Sequence, residues 1–413
     1  MNRFCRIVLT WLSAAFWVTG ALAQTTPHYL IVNNNHPEGN FATFFTLAKD
    51  GTFAAHKRIA TGGKGIATPV LFAPAAPGVA VFHSTTEDCA FVADPGTNDI
   101  AAIDSNLQAV DRFRGGPLDI NNFASMALAI NKDFLYAAFT GKANSKLGGR
   151  LGSFRILGGC QLEFLGSVPA VGTGFINSVG RYPINVAAHG KILILVYGDG
   201  SIESFHFSNG KAESNGDLQN STGAQHSQPP LSVDITQDAK FAIFGDVTGC
   251  SPNGEVEVAS ISTGKLSQAT IIYSMGADTN ETSHVRLSPD ESLLYLNGDA
   301  IAFFDKTTGA ATFGCFNGLK DPDEGRTTEW WLIGNVALAD NASGTGGTIY
   351  SAEDTLAVGT AGNDQYVGFQ NVTSNGHSCT LIESPKSNFE MQSNSAISEP
   401  WRRGRPAPSS ALT

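Results

Sequence analysis

Short apolar runs, each closed by a turn, recur along this chain from about residue 28 onward. The fullest example is 283–305, SHVRLSPDESLLYLNGDAIAFFD. His284, Val285, Arg286 and Leu287 alternate polar and apolar, the period of a strand with one buried face. Ser288, Pro289, Asp290 and Glu291 follow as turn chemistry, because proline presets φ and short polar side chains bond their own backbone. The run 293–296 (LLYL) predicts a second strand, 297–299 (NGD) a second turn, and 300–305 a third strand.

The outline repeats. Runs resembling LLYLN occur at 29–33, 90–94, 135–139, 193–197, 241–245 and 356–360, with central residues Ile31, Val92, Ala137, Leu195, Ile243, Tyr295 and Val358 spaced 45 to 63 residues apart. An alternating strand follows most of them, as in DIAAID (99–104) and EVEVASI (255–261). A strand running into an acidic turn precedes several, as in ALAINKD (127–133) and SVDITQD (232–238). Segments 161–168 and 379–383 read as outermost strands. No long window places apolar residues at helical spacing, which excludes a βαβ or TIM-barrel reading. Repeats of about 40–50 residues containing four strands are the signature of propeller blades. The expected fold is therefore all-β, a seven-bladed β-propeller of four-stranded antiparallel blades over 24–388. The first unit starts without an inner strand, so the C-terminal portion is expected to supply it. Residues 389–413, rich in Ser, Pro and Asn, are expected to be a solvated, disordered tail.

Composition sets the compartment. Arg3 and Arg6 precede an apolar segment at 7–18 and small residues at 21–23, the layout of a secretory signal over 1–23. No later stretch has 18 consecutive apolar residues, so no integral membrane segment is expected after cleavage, and the protein is expected to be secreted or periplasmic. Loss of the two leader arginines changes the net charge from −11 to −13, 24 basic against 37 acidic residues. Such a balance argues against nucleic acid as a partner, since that affinity rests on Lys and Arg meeting phosphate. Five cysteines remain, Cys89, Cys160, Cys250, Cys315 and Cys379; one or two disulfides are expected and the pairing is open.

Segments 284–296 (HVRLSPDESLLYL), 232–244 (SVDITQDAKFAIF) and 88–104 (DCAFVADPGTNDIAAID) resemble the repeat of the lactonase-like propeller superfamily, which includes YVTN-repeat surface proteins and 6-phosphogluconolactonases. The resemblance implies a propeller over nearly the whole mature chain. For the lactonase members it also implies an inner-strand element reading roughly Gly-Pro-Arg-His, with a glutamate after the following tyrosine run. His284 matches the histidine, Ser283 stands where the arginine would be, and no glutamate follows Tyr295 at the expected place.

Polar residues on inner strands converge on a propeller's channel and are the natural candidates for chemistry. His284 could take a proton from water, and Arg286 could polarise a lactone carbonyl or hold a carboxylate. Arg181 and His189 flank the inner strand of the fourth unit, and His83 lies in the second. There is no nucleophile elbow, P-loop or Rossmann fingerprint, and no cofactor or metal is expected. Two readings stand. One is an exported, monomeric binding scaffold for a small molecule, glycan or protein on a propeller face. The other is an extracytoplasmic lactone hydrolase or cyclase using His284, Arg286, Arg181 and His189.

Overall fold

The computed structural model describes residues 28–47, 53–65, 78–115, 126–139, 149–173, 181–221, 230–246, 255–274, 285–296 and 300–316, and then the strands Glu329–Asp340, Gly346–Ala357, Gln365–Ser374, Cys379–Glu383, Ala396–Ile397 and Trp401–Arg402. These strands form seven antiparallel sheets built on meanders, to which sheet one adds short strands from the C-terminal segment. Sheet six is the plainest, running Val285–Leu287, Leu293–Leu296, Ala300–Asp305, Ala310–Phe316. Its first turn closes as the sequence predicts. Ser288 Oγ donates to Asp290 Oδ1 at 2.6 Å and accepts from the Leu293 amide at 2.9 Å.

The core is distributed between sheets rather than gathered at one centre. One apolar cluster joins sheets one and two (Ile31, Phe44, Val79, Val92), and another joins two and three (Phe91, Ala102, Leu128, Phe154). Others join three and four (Tyr136, Leu151, Leu195, Phe205), four and five (Ile194, Ile202, Leu231, Phe244), and five and six (Ile243, Val256, Leu287, Leu294). Sheets two to five thus each bury one face against the sheet before and one against the sheet after, so their central strands read as continuous apolar runs. This stacking defines a β-propeller, which leaves only short protected edges.

The recurring run read from sequence coincides with His28–Asn33 in sheet one and with the second strand of each of sheets two to six. In sheet seven that strand is Gly346–Ala357, so the run at 356–360 begins where the strand ends, and its centre Val358 lies outside the described residues. The strand's sequence, GGTIYSAEDTLA, lacks the apolar run that marks the other six.

The missing strand of sheet one comes from the C-terminal segment. His28–Asn33 pairs with Phe41–Leu47 on one edge and with Ala396–Ile397 and Trp401–Arg402 on the other. Ala396–Ile397 also approaches the first two strands of sheet seven, which joins the last sheet to the first. Part of the segment expected to be free tail is therefore strand, and the rest of it lies outside the described residues.

Hairpin chemistry fixes register locally. Asn209 and Gly210 both have positive φ, 51° and 79°, the two-residue turn that matches strand twist between Ser201–Ser208 and Lys211–Ser214. Gly210 also packs on the Phe134 ring of sheet three, where an added Cβ would overlap the ring. Gly210→Ala is expected to cost about 1–3 kcal/mol through combined overpacking and backbone strain, measured by denaturant unfolding.

Candidate ligand-binding site at the inner strands

In sheets two to seven the first strand presents an unpaired edge to the ring interior, and its backbone groups must find partners elsewhere. In sheets four to six, polar side chains of one first strand serve the edge of the next. Asn185, on Pro183–His189, donates through Nδ2 to the Leu231 carbonyl at 2.8 Å. Ser232 and Asp234, on Pro230–Ile235, accept from the amides of Val285 and Leu287, each at 2.9 Å. Asp234 also accepts from the Ile235 amide through Oδ1 at 2.9 Å. The alternation is what makes this possible. Leu231, Val233 and Ile235 point into the apolar layer against sheet four, which leaves Ser232 and Asp234 facing sheet six.

Arg286, on Val285–Leu287, stands beside this clasp. Its Nη1 lies 4.0 Å from Asp234 Oδ1, with side-chain exposures of 28% and 11%. Burial pushes the Asp234 carboxyl above the ordinary carboxylate range. Arg286, the two amides and, more weakly, His189 pull it back. Arg286 is the one Lys or Arg on the first strands of sheets two to six among the described residues.

The turns after these first strands form a second tier of contacts. Asn131 Nδ2 donates to the Gly190 carbonyl at 3.0 Å, joining sheet three to sheet four. His189 Nε2 meets the Gln237 carbonyl at 2.6 Å, so that nitrogen carries the proton in this contact. Gln237 in turn donates its amide to the Glu291 carboxylate and its Nε2 to the Pro289 carbonyl, the latter at 2.5 Å. Glu291 is itself raised above the usual range by burial, against the opposing pull of the Gln237 amide. A belt of turns therefore runs from sheet three to sheet six at one end of the channel strands.

Of the four residues singled out from sequence, the structure places Arg286 beside the Asp234 carboxylate and His189 on the Gln237 carbonyl of the same strand-and-turn unit. Arg181 sits at the other end of the strand that His189 terminates, roughly 25 Å away along an extended chain, where its Nη2 donates to the Thr173 carbonyl at 2.5 Å. His284 lies outside the described residues. His83 is oriented by a carboxylate of its own, with Nδ1 3.0 Å from Asp88 Oδ1. Asp234, Gln237 and Glu291 were missed as site residues because each looks like an ordinary repeat or turn position. The signal for Asp234 is its place on the polar side of SVDI, facing the next sheet.

Cys89 and Cys160 form a disulfide with Cα atoms 5.6 Å apart. It links the second strand of sheet two to the turn Gly158–Cys160 that enters the outer strand of sheet three. Glu87 lies close to both sulfurs, but its carboxylate accepts from the Gly159 amide at 2.7 Å and the sulfurs are bonded to each other, so this trio does not fit a metal.

No protein-family model matches the chain, and no curated protein matches it. Among solved structures, it is similar to a candidate 6-phosphogluconolactonase of Bacteroides uniformis, with 11% identity, 66% of this chain and 77% of that one covered, and a TM-score of 0.46. It is likewise similar to the β-propeller domain of Cps50 from Myceliophteria thermophila (11% identity, 79% and 97% covered, TM-score 0.47) and to Sqt1 of Saccharomyces cerevisiae (11%, 88% and 97%, 0.45). At this distance none of them carries an argument about site or activity, and the fold stands on the chain's own sheets.

Proposed function

We propose that this chain is an exported, seven-bladed propeller of the lactonase-like kind that works as a binding scaffold, taking a small molecule, glycan or protein segment beside Arg286. The observation that carries this reading is the commitment of the neighbouring groups. Both oxygens of Asp234 accept backbone amides, and Nε2 of His189 is held on the Gln237 carbonyl. These contacts fix the inner strands to one another and leave Asp234 poorly suited to cycle a proton. Arg286, a planar cation 28% exposed beside that clasp, is suited to hold a carboxylate or a carbonyl oxygen. The disulfide supports export, since such bonds persist in oxidising compartments. Among the described residues no helix is long and apolar enough to cross a membrane.

A spectrophotometric screen of the purified protein against γ- and δ-lactones, with His284→Ala and Arg286→Ala beside it, separates the scaffold from the hydrolase. The expected result is no turnover above buffer, together with a stabilising ligand from a panel of small carboxylates and neutral sugars. Arg286→Ala should weaken binding of an anionic ligand roughly 10-fold or more, the loss of one charge-assisted pair. Lactone turnover abolished by His284→Ala would replace the scaffold reading with the hydrolase.

A further inference from the structure

A different part of the ring carries a buried polar cluster that the binding site does not use. It lies where sheet one meets sheet two. Asp94 ends the strand Asp88–Asp94 and is fully buried. Its Oδ1 accepts from Asn40 Nδ2 at 2.6 Å and from Thr61 Oγ1 at 2.7 Å. Its Oδ2 has no hydrogen-bond partner among the described residues. Gly63 is packed against this second oxygen so closely that a Cβ there would overlap the carboxyl group.

Three segments meet on this one side chain. Asn40 belongs to the turn between the two N-terminal strands of sheet one, and Nδ2 of Asn40 also reaches Asn33 Oδ1 at 2.7 Å. Thr61 opens the loop that leaves sheet one, and its hydroxyl also contacts the Asn40 carbonyl at 3.0 Å. Backbone bonds run alongside, from the Asn40 amide to the Gly63 carbonyl and from the Gly96 amide to the Lys64 carbonyl, each at 2.9 Å. Neutral, this carboxyl keeps both hydrogen bonds on Oδ1 and carries no charge away from water. Ionised, it holds a charge away from water with one oxygen unsupported.

We propose that Asp94 is a proton-operated latch between the first and second sheets, closed when the carboxyl is neutral and loosened when it ionises. The surrounding charges agree with that assignment. Burial raises this carboxyl to about 7, against the pull of Asn40 and Thr61. Asp99 on the same turn adds to the rise, and Arg112 opposes it. Arg112 is itself occupied, with Nη1 donating to the Gly62 carbonyl and Nε 3.6 Å from Asp99. His36, Glu38 and Lys64 carry the remaining titratable groups of the two sheet-one loops. An acid whose folded value is raised binds its proton more tightly folded than unfolded. Its contribution to stability is therefore complete below about 4, falls as pH rises, and is gone above about 7.

The test is thermal unfolding of the full chain between pH 5 and 8.5, beside Asp94→Asn and Thr61→Val. Asparagine keeps the shape and cannot ionise, so Asp94→Asn should match wild type at pH 5 and melt above it at pH 8. Burial, with Glu257 and Glu255 nearby, also holds Asp246 elsewhere in the ring well above the ordinary carboxylate range, which makes the wild-type-minus-variant difference the quantity to read. Thr61→Val removes a hydrogen bond to the charged form and should move the wild-type transition to higher pH. Amide exchange at Asn40 and Gly96, corrected for its intrinsic pH dependence, should quicken between pH 5 and 8 in wild type and not in Asp94→Asn. Parallel melting profiles for wild type and Asp94→Asn overturn the latch. If Asp94→Asn does not fold, an unshifted transition in Thr61→Val overturns it equally.

Discussion

A chain ending at Ser395 is expected to melt at least about 10 °C below the full chain, or to lose its cooperative transition altogether. The strand His28–Asn33 runs through the buried layer of sheet one, with Leu30, Ile31 and Val32 wholly inaccessible. Among the described residues, one of its edges is covered by Ala396–Ile397 opposite Asn33 and Val32, and by Trp401–Arg402 opposite Tyr29 and His28. Removing those strands leaves backbone N–H and C=O groups unpaired, each costing about 1–3 kcal/mol when it remains buried. A few such groups amount to a large part of the roughly 5–15 kcal/mol that holds a folded domain. The same deletion detaches sheet seven from sheet one, because Ala396–Ile397 touches both. Scanning calorimetry of the two chains at one pH is the measurement. An unchanged midpoint would show that the ring does not depend on this closure.

Replacing Cys89 and Cys160 together by alanine is expected to be the second largest perturbation. The bond spans 71 residues, and constraint of the unfolded chain over a loop of that length is worth roughly 4 kcal/mol. Both cysteines are buried in the apolar layer between sheets two and three, so truncation to alanine removes packing as well. The staple also works beside other cross-sheet contacts, the Gly159 amide on Glu87 and the Leu162 amide on Asp111 at 2.9 Å. A denaturant midpoint lowered in the double variant, and lowered equally by reductant in wild type alone, is the expected pattern. Reductant acting on both proteins alike would place the effect elsewhere.

Much of the fold was legible because each sheet writes the same local signals. A buried second strand must be apolar on both sides when sheets stack face to face, which is why LIVN, FVAD, LYAAF and ILVY stand out. Turns such as 288–291 and 209–210 announce themselves through residues that tolerate or preset their backbone angles. Sheet seven was less legible because Gly346–Ala357 mixes glycine, threonine, acids and apolar residues. The tail misled for a related reason: two-residue strands hold too little pattern to be separated from a Ser- and Pro-rich segment.

The site was legible only in part. Arg286 and His189 drew attention as polar residues at inner strands, but proximity in a list of strands does not say which end of a strand faces which. Arg181 and His189 flank one strand and therefore cannot meet, whereas His189 and Glu291 are drawn together through Gln237, 48 and 54 residues from it in sequence. By itself the sequence determined the strands, their turns and the repeat, because those follow from side-chain alternation and from backbone angles a few residues long. Only the tertiary structure decided the closing strand, the disulfide pair, the clasp around Asp234 and the buried carboxyl at Asp94. Each of those depends on which edges and ends of separate sheets come into register, and that is set by packing between sheets rather than by any local pattern.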